Sequence, residues 1–170
     1  MAKKYDLVVV GGGTSGLEAA KTGAENGLTV ALVEMKTNPA KVQRACAQMF
    51  LVNMDHFYNE HMYFSREQKK WVFPVNNFSV NYKGDYREFY GCHFIAPNTE
   101  DRIEIGDYEA NQSGQGTAAV VFDKGALLEG LYEEGRRAGV DFFLERTVID
   151  AQKTGEGVEV RTKNGDRLVG

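Results

Sequence analysis

The sequence lacks what several protein classes require. It has only two cysteines, Cys46 and Cys92, too few for a disulfide framework, so a reducing, cytoplasmic setting is the expectation. No run approaches the roughly 20 apolar residues of a membrane span. The apolar stretch Leu7 to Val10 is too short for a secretion signal and runs straight into glycines. A net charge of −4, with no concentrated block of Lys or Arg, gives no pull toward nucleic acid or anionic lipid. His56 and His61 are five apart and share no helical face, so no metal site is expected. No Ser-His-Asp set can be argued from the sequence, and no internal repeat is visible. What remains is ordinary globular composition, 42% apolar and 26% charged, in 170 residues. That length suits one generous domain, or a domain with part of a second.

Glycine is present where it has consequences. The chain reads DLVVVGGGTSGLEAAKTGAENGLTVALVEMK from Asp6. Asp6 to Val10 is a continuous β-branched run, as in a parallel strand buried on both faces. Ser15 to Asn26 carries Leu17, Ala20 and Ala24 at helical spacing, and Gly27 is a good helix stop. Leu28 to Val33 predicts a second buried strand, ending at Glu34. Strand, glycine turn, helix and strand make a βαβ unit, whose crossover is right-handed. Gly11, Gly13 and Gly16 fit G-x-G-x-x-G in that context. The first permits the tight turn, the second lets backbone approach a pyrophosphate, and the third brings helix against strand. The helix N-terminus near Ser15 then faces the phosphates. Glu34 lies 21 residues beyond Gly13, where a carboxylate can accept ribose hydroxyls and would repel a 2′-phosphate. The residues alone leave open a glycine-rich turn of another α/β protein.

This spacing, with Ala20, Gly27 and Glu34, resembles the N-terminal FAD-binding motif of the glutathione-reductase-like flavoproteins. Gly23 departs from it, since that family usually has a larger apolar residue there. Further on, Val121-Phe122-Asp123 leads into a helix from Lys124 to Ala138, with Leu127, Leu128 and Leu131 on one face and Gly139 as its stop. VDFFLERTVIDAQ reads as one strand. GVEVRTKNGDRLVG reads as a two-residue hairpin around Asn164-Gly165. The order is similar to the geranylgeranyl reductase and aromatic hydroxylase group of flavoproteins, over residues 5–50 and 117–170.

The resemblance implies an α/β fold: a Rossmann-like FAD-binding domain with a parallel sheet, an antiparallel β-meander and an inserted β-rich partial substrate domain. The FAD-binding domain is expected over 1–45 and 117–170, and the insertion over 46–116. The implied cofactor contacts are Gly11, Gly13, Thr14, Ser15, Gly16, Glu34, Met35, Arg44 and Val148. Arg44 would meet FAD phosphate or ribose, and backbone near Val148 the adenine; a solvated loop cation is the plain alternative for Arg44. An arginine common in the family is replaced by Ala119. Cys46 stands near where some reductases of this group keep a flavin-side cysteine, and a small buried residue is its plainer reading. The WVFP segment from Trp71 resembles a substrate motif of archaeal lipid reductases but stands at a different place in the chain.

The middle is harder to read. Residues 46–70 mix Met, Phe, Tyr and Leu at helical spacings, and 71–110 read as short strands FSVNY, EFYGCHFIA and RIEIGDY. Phe57, Tyr58, Tyr63, Phe64, Trp71, Phe73 and Phe78 suit an apolar or aromatic substrate, or equally the core of a small sheet. NQSGQGTA reads as a loop. The resemblance would place a further strand and a Gly-Asp segment after Gly170, so the chain is expected to be the N-terminal portion of a longer enzyme. NAD(P)H or another electron donor and self-association are further expectations. A regulatory module for adenine nucleotides and an NAD-dependent enzyme remain as alternatives.

Overall fold

The computed structural model describes residues 3–43, 46, 48–50, 60, 62–105, 109 and 119–170. The chain divides into two compact units, Met1–Gln43 with Gly125–Gly170, and Arg44–Lys124.

In the first unit β2 (Leu7–Val10), α1 (Thr14–Glu25) and β3 (Val30–Val33) form the βαβ unit, with Leu7 opposite Val30 and Val10 opposite Val33 in parallel register. The α1 helix stops where Gly27 takes φ +86°, a conformation that costs glycine little. Every residue of β3 is buried. β2 is not buried on both faces as its valines suggest: Val10 is 55% exposed and the other three are half-buried. The reason is position. Among the described residues β2 pairs with β3 alone, at the edge of a three-stranded sheet ordered β12-β3-β2, with β12 at Asp141–Phe143.

Gly23 is buried in α1, and a Cβ added there would lie 3.1 Å from Leu7 and 3.2 Å from Val30. Glycine is thus what lets the helix sit this close to both strands. The second helix, α2 (Lys124–Ala138), buries Leu127, Leu128 and Leu131 and ends before Gly139 at φ +93°.

The single strand expected after α2 is two strands in two sheets. β12 ends at Phe143, and β13 (Val148–Thr154) opens a meander with β14 (Gly157–Thr162) and β15 (Arg167–Val169). Between them Glu145 takes φ +56°, and the amides of Glu145 and Arg146 donate to the carbonyls of Lys36 and Glu34. Those bonds divert the chain. The turn at Asn164-Gly165 joins β14 to β15, but the connection runs from Lys163 to Asp166 rather than over two residues. β1 (Lys3–Lys4) completes this sheet by pairing in parallel with β15. Ala31, Val33 and Leu168 form a buried cluster, packed by Tyr5, Val8, Phe143 and Val148.

The second unit is β-rich. It contains β4 (Met49–Phe50), β5 (Tyr63–Ser65), β6 (Lys70–Phe73), β7 (Phe78–Asn81), β8 (Tyr86–Phe89), β9 (Cys92–Ile95), β10 (Arg102–Ile105) and β11 (Ala119–Phe122). They pair as β5-β6-β7, β4-β11-β8 and the hairpin β9-β10. The helical spacing over 46–70 gives no helix among the described residues: Met49–Phe50 and Tyr63–Ser65 are strands. Short aromatic runs satisfy either period, and pairing of Phe64 with Trp71 decides for the strand. Trp71 and Tyr82 are buried, with Phe64 4.9 Å and Phe50 5.7 Å from Trp71 between ring centroids. Phe50 stacks on Phe122 at 4.1 Å and Phe73 on Phe78 at 4.3 Å. These aromatics form the core of the small sheets. His56, Phe57, Tyr58, His61 and the NQSGQGTA segment lie outside the described residues. Among the described residues no helix is long and apolar enough to cross a membrane.

Candidate dinucleotide site

The site grows from the turn between β2 and α1. Gly11 has φ +102°, in the region that favours glycine, and its amide donates to Val33 O at 2.8 Å. The turn is thereby tied to the end of β3. A Cβ on Gly16 would stand 1.9 Å from Gly11 O, so only glycine lets α1 start this close to the strand. Gly13 is different. It is the N-cap of α1 in extended conformation, and an added Cβ there would meet no atom of the described residues within 4 Å. The chain's own packing does not need glycine at that position. The open space lies beside the amides of Thr14 and Ser15, both exposed.

No side chain caps this helix start, and no acidic residue stands in its first turn. Unsatisfied N–H groups and the positive dipole end therefore face outward, which is the arrangement that holds an anion.

Glu34 closes the other side. It is 5% exposed, at the end of β3. Gly12 N–H donates to Oε2 at 2.5 Å and Lys36 N–H to Oε1 at 2.8 Å. Two bonds leave an ionised carboxylate with further acceptor positions on both oxygens. Its backbone is fixed too: Glu34 N–H donates to Phe143 O at 2.9 Å, and Arg146 N–H to Glu34 O at 3.0 Å. The carboxylate is thus aimed by both stretches of chain in its unit. Met35 is 67% exposed beside it.

The structure brings Gly11, Gly13, Thr14, Ser15, Gly16, Glu34 and Met35 into one unit. Val148 is in the same unit; its side chain packs on the Ala31, Val33 and Leu168 cluster and its backbone pairs with Thr162. Arg44 lies outside the described residues. Cys46 belongs to the second unit and is exposed, which removes the buried-core reading. Its thiol is held below the ordinary cysteine range, first by the Gln48 N–H donating to Sγ at 3.4 Å and then by the Lys124 charge. Among the described residues no cluster of three or more His, Cys, Asp or Glu could hold a metal ion.

Two contributors escape the G-x-G-x-x-G spacing. Gly12 is buried against Glu34, where a Cβ would stand 3.0 Å from Oε2. The run of three successive glycines is its only signal. Lys36 acts through its backbone N–H, which no sequence pattern displays.

A βαβ unit with an uncapped glycine turn facing a fixed carboxylate defines a dinucleotide-binding protein. The family comparison names the dinucleotide. Residues 6–167 match the family described as FAD binding domain; the chain belongs to that family, and FAD is its cofactor. The open position at Gly13, the uncapped helix start and Glu34 fit such a ligand's pyrophosphate and ribose.

Solved structures share the fold at low identity. A geranylgeranyl bacteriochlorophyll reductase-like protein from Thermoplasma acidophilum matches with TM-score 0.69 and 18% identity, over 99% of this chain and 38% of that one. A myxobacterial chondrochloren halogenase, a variant of FAD-dependent halogenases, matches with TM-score 0.58 and 21% identity, over 98% of this chain and 35% of that one. A flavoprotein/dehydrogenase from Cytophaga hutchinsonii gives 0.57 and 19%, over 98% and 37%. The chain therefore spans well under half the length of these three proteins.

Proposed function

We propose that the chain is the FAD-binding part of a flavin-dependent oxidoreductase of the glutathione-reductase-like kind, acting on an apolar substrate as geranylgeranyl reductases or aromatic hydroxylases do. The observation that carries this reading is the pairing of the glycine turn with the buried Glu34, held by two backbone amides. In it, backbone at Gly11, Gly13 and Gly16 admits the pyrophosphate, and the amides of Thr14 and Ser15 donate to its oxygens. Glu34 accepts the adenosine ribose hydroxyls, Met35 lies along the adenosine, and backbone near Val148 borders the adenine. Arg44 adds a cation for phosphate or ribose. Bound flavin supplies hydride and one-electron chemistry, while the protein orients it and excludes side reactions. The catalytic residues stay unassigned, with Cys46, exposed and with a lowered thiol pKa, as a weak candidate.

Residues 46–116 form the start of the substrate domain in this reading. Their aromatic content, with Phe89, Phe94, Ile95 and Ile103 all exposed, suits an apolar or aromatic substrate. NAD(P)H or another donor reduces the flavin.

A titration with FAD, ADP and NADH tests the reading. Flavin fluorescence quenched on binding, with ADP competing, is the expected outcome. A colourless protein stabilised by ADP but indifferent to FAD would make it a regulatory module, and stabilisation by NADH alone an NAD enzyme.

A further inference from the structure

We infer that Lys36 is a positioning residue for the ribose carboxylate, acting through the loop that follows Glu34. The inference rests on the assignment of Glu34 to the ribose. The Lys36 ammonium does not point to solvent as loop lysines usually do. Nζ donates to Pro39 O at 2.6 Å and to Lys41 O at 3.2 Å, while the Pro39 ring is fully buried. Asn38 tightens the same loop: its Oδ1 accepts from Ala40 N–H at 2.8 Å, and its carbonyl accepts from Lys41 N–H at 3.2 Å. The loop is wound around one cation.

Lys36 is also bonded through its main chain. Its N–H donates to Glu34 Oε1 at 2.8 Å, and its carbonyl accepts from Glu145 N–H at 3.1 Å. The ammonium therefore fixes the peptide whose N–H holds one carboxylate oxygen, as Gly12 N–H holds the other. Without the two carbonyl bonds the loop gains conformers, and the Lys36 amide is no longer held at Oε1. Glu34 then has one anchor instead of two and must be ordered when ribose binds, which weakens its grip. Two of the ammonium's three donors are used inside the loop. The Lys36 charge is thus a structural clasp of the loop.

The test compares ADP with 2′-deoxy-ADP on the wild-type chain, Lys36→Met and Lys36→Arg, by calorimetry, with circular dichroism confirming the fold. A hydrogen bond to a charged acceptor predicts roughly tenfold preference of the wild type for ADP. Lys36→Met is expected to bring that ratio toward unity and Lys36→Arg to restore most of it. Simple loosening of the fold would lower both affinities together and leave the ratio intact; that result would overturn the inference. A wild-type ratio near unity would instead overturn the assignment of Glu34. Should Lys36→Met fail to fold, Asn38→Ala supplies a second variant. It loosens the same loop without touching the charge, and an unchanged ratio there would also count against the clasp.

Discussion

Gly13 and Gly16 stand in one turn for different reasons, and substitution separates them. Gly16→Ala drives a Cβ into Gly11 O, so α1 must shift; overpacking of this kind costs about 1–3 kcal/mol or more, read by urea denaturation. A Cβ at Gly13 meets no described atom within 4 Å, so Gly13→Val should keep the fold while FAD and ADP binding is lost, the outcome expected if the pyrophosphate lies against this turn as proposed. Calorimetry beside a melting curve distinguishes them: a Gly13→Val protein that binds ADP normally would remove the phosphate from this turn. Glu34→Ala should weaken ADP by about 1.5–3 kcal/mol, roughly tenfold or more, through loss of a charged acceptor. If 5′-AMP and adenosine 2′-phosphate bind the wild type equally well, the carboxylate is not at the ribose.

At the scale of elements, α1 and α2 meet through charge. Lys21 on α1, its side chain 6% exposed, lies 3.5 Å from Glu18 and 3.4 Å from Glu134 of α2. Removing the cation would leave two carboxylates facing each other out of water. Lys21→Met should therefore cost about 3–5 kcal/mol, measured by chemical denaturation. Glu18 gives this contact a pH dependence. Burial raises its pKa above the ordinary glutamate range, against the opposing pull of Lys21. The folded state then binds the proton more tightly than the unfolded state, so stability falls as pH rises from that range through the elevated value. Glu18→Gln should abolish that fall. Asp6 has the opposite sign: hydrogen bonds from the Thr29 hydroxyl and amide lower its pKa, and its contribution is lost as pH falls through the depressed value. Denaturation midpoints of Asp6→Asn and wild type across mildly acidic pH would show whether the acid limb flattens.

The same scale shows how far sequence reaches. The βαβ unit was legible because apolar period, glycine stop and terminal glutamate all agree over its length. α2 was legible for the same reason, since Leu127, Leu128 and Leu131 can share only a helical face. The break after Phe143 was not legible. Nothing in LERT marks Glu145 for positive φ; the carbonyls of Glu34 and Lys36, distant in sequence, impose it. Within 46–70 the helical spacing misled at Met49–Phe50 and Tyr63–Ser65, whose aromatics pack across strands, and cross-strand partners carry no periodic signal. In the site, the sequence displays residues whose side-chain absence or charge matters, while the backbone donors to Glu34 at Gly12 and Lys36 carry no such signal.

For the whole molecule, the edge of the parallel sheet carries a prediction of behaviour in solution. β2 pairs only with β3 among the described residues, and Val10 at its end is more than half exposed. An apolar edge of this kind recruits other chains. Light scattering over a concentration series should show self-association, and FAD, at the site proposed at the end of this strand, should reduce it. A monodisperse species at every concentration, with or without FAD, would show that the edge is protected.

The first unit also joins stretches far apart in the sequence, with Lys3 paired to Leu168 and the Glu34 backbone bracketed by Phe143 and Arg146. Closing contacts so distant along the chain is slow, because loop-closure entropy is lost before the contact rewards it. On the ribosome, the glycine turn and its helix can form early, yet the peptide that aims Glu34 waits for residues made more than a hundred positions later. Glu34 is therefore held from both sides only once Arg146 has been made, well after the glycine turn opposite it.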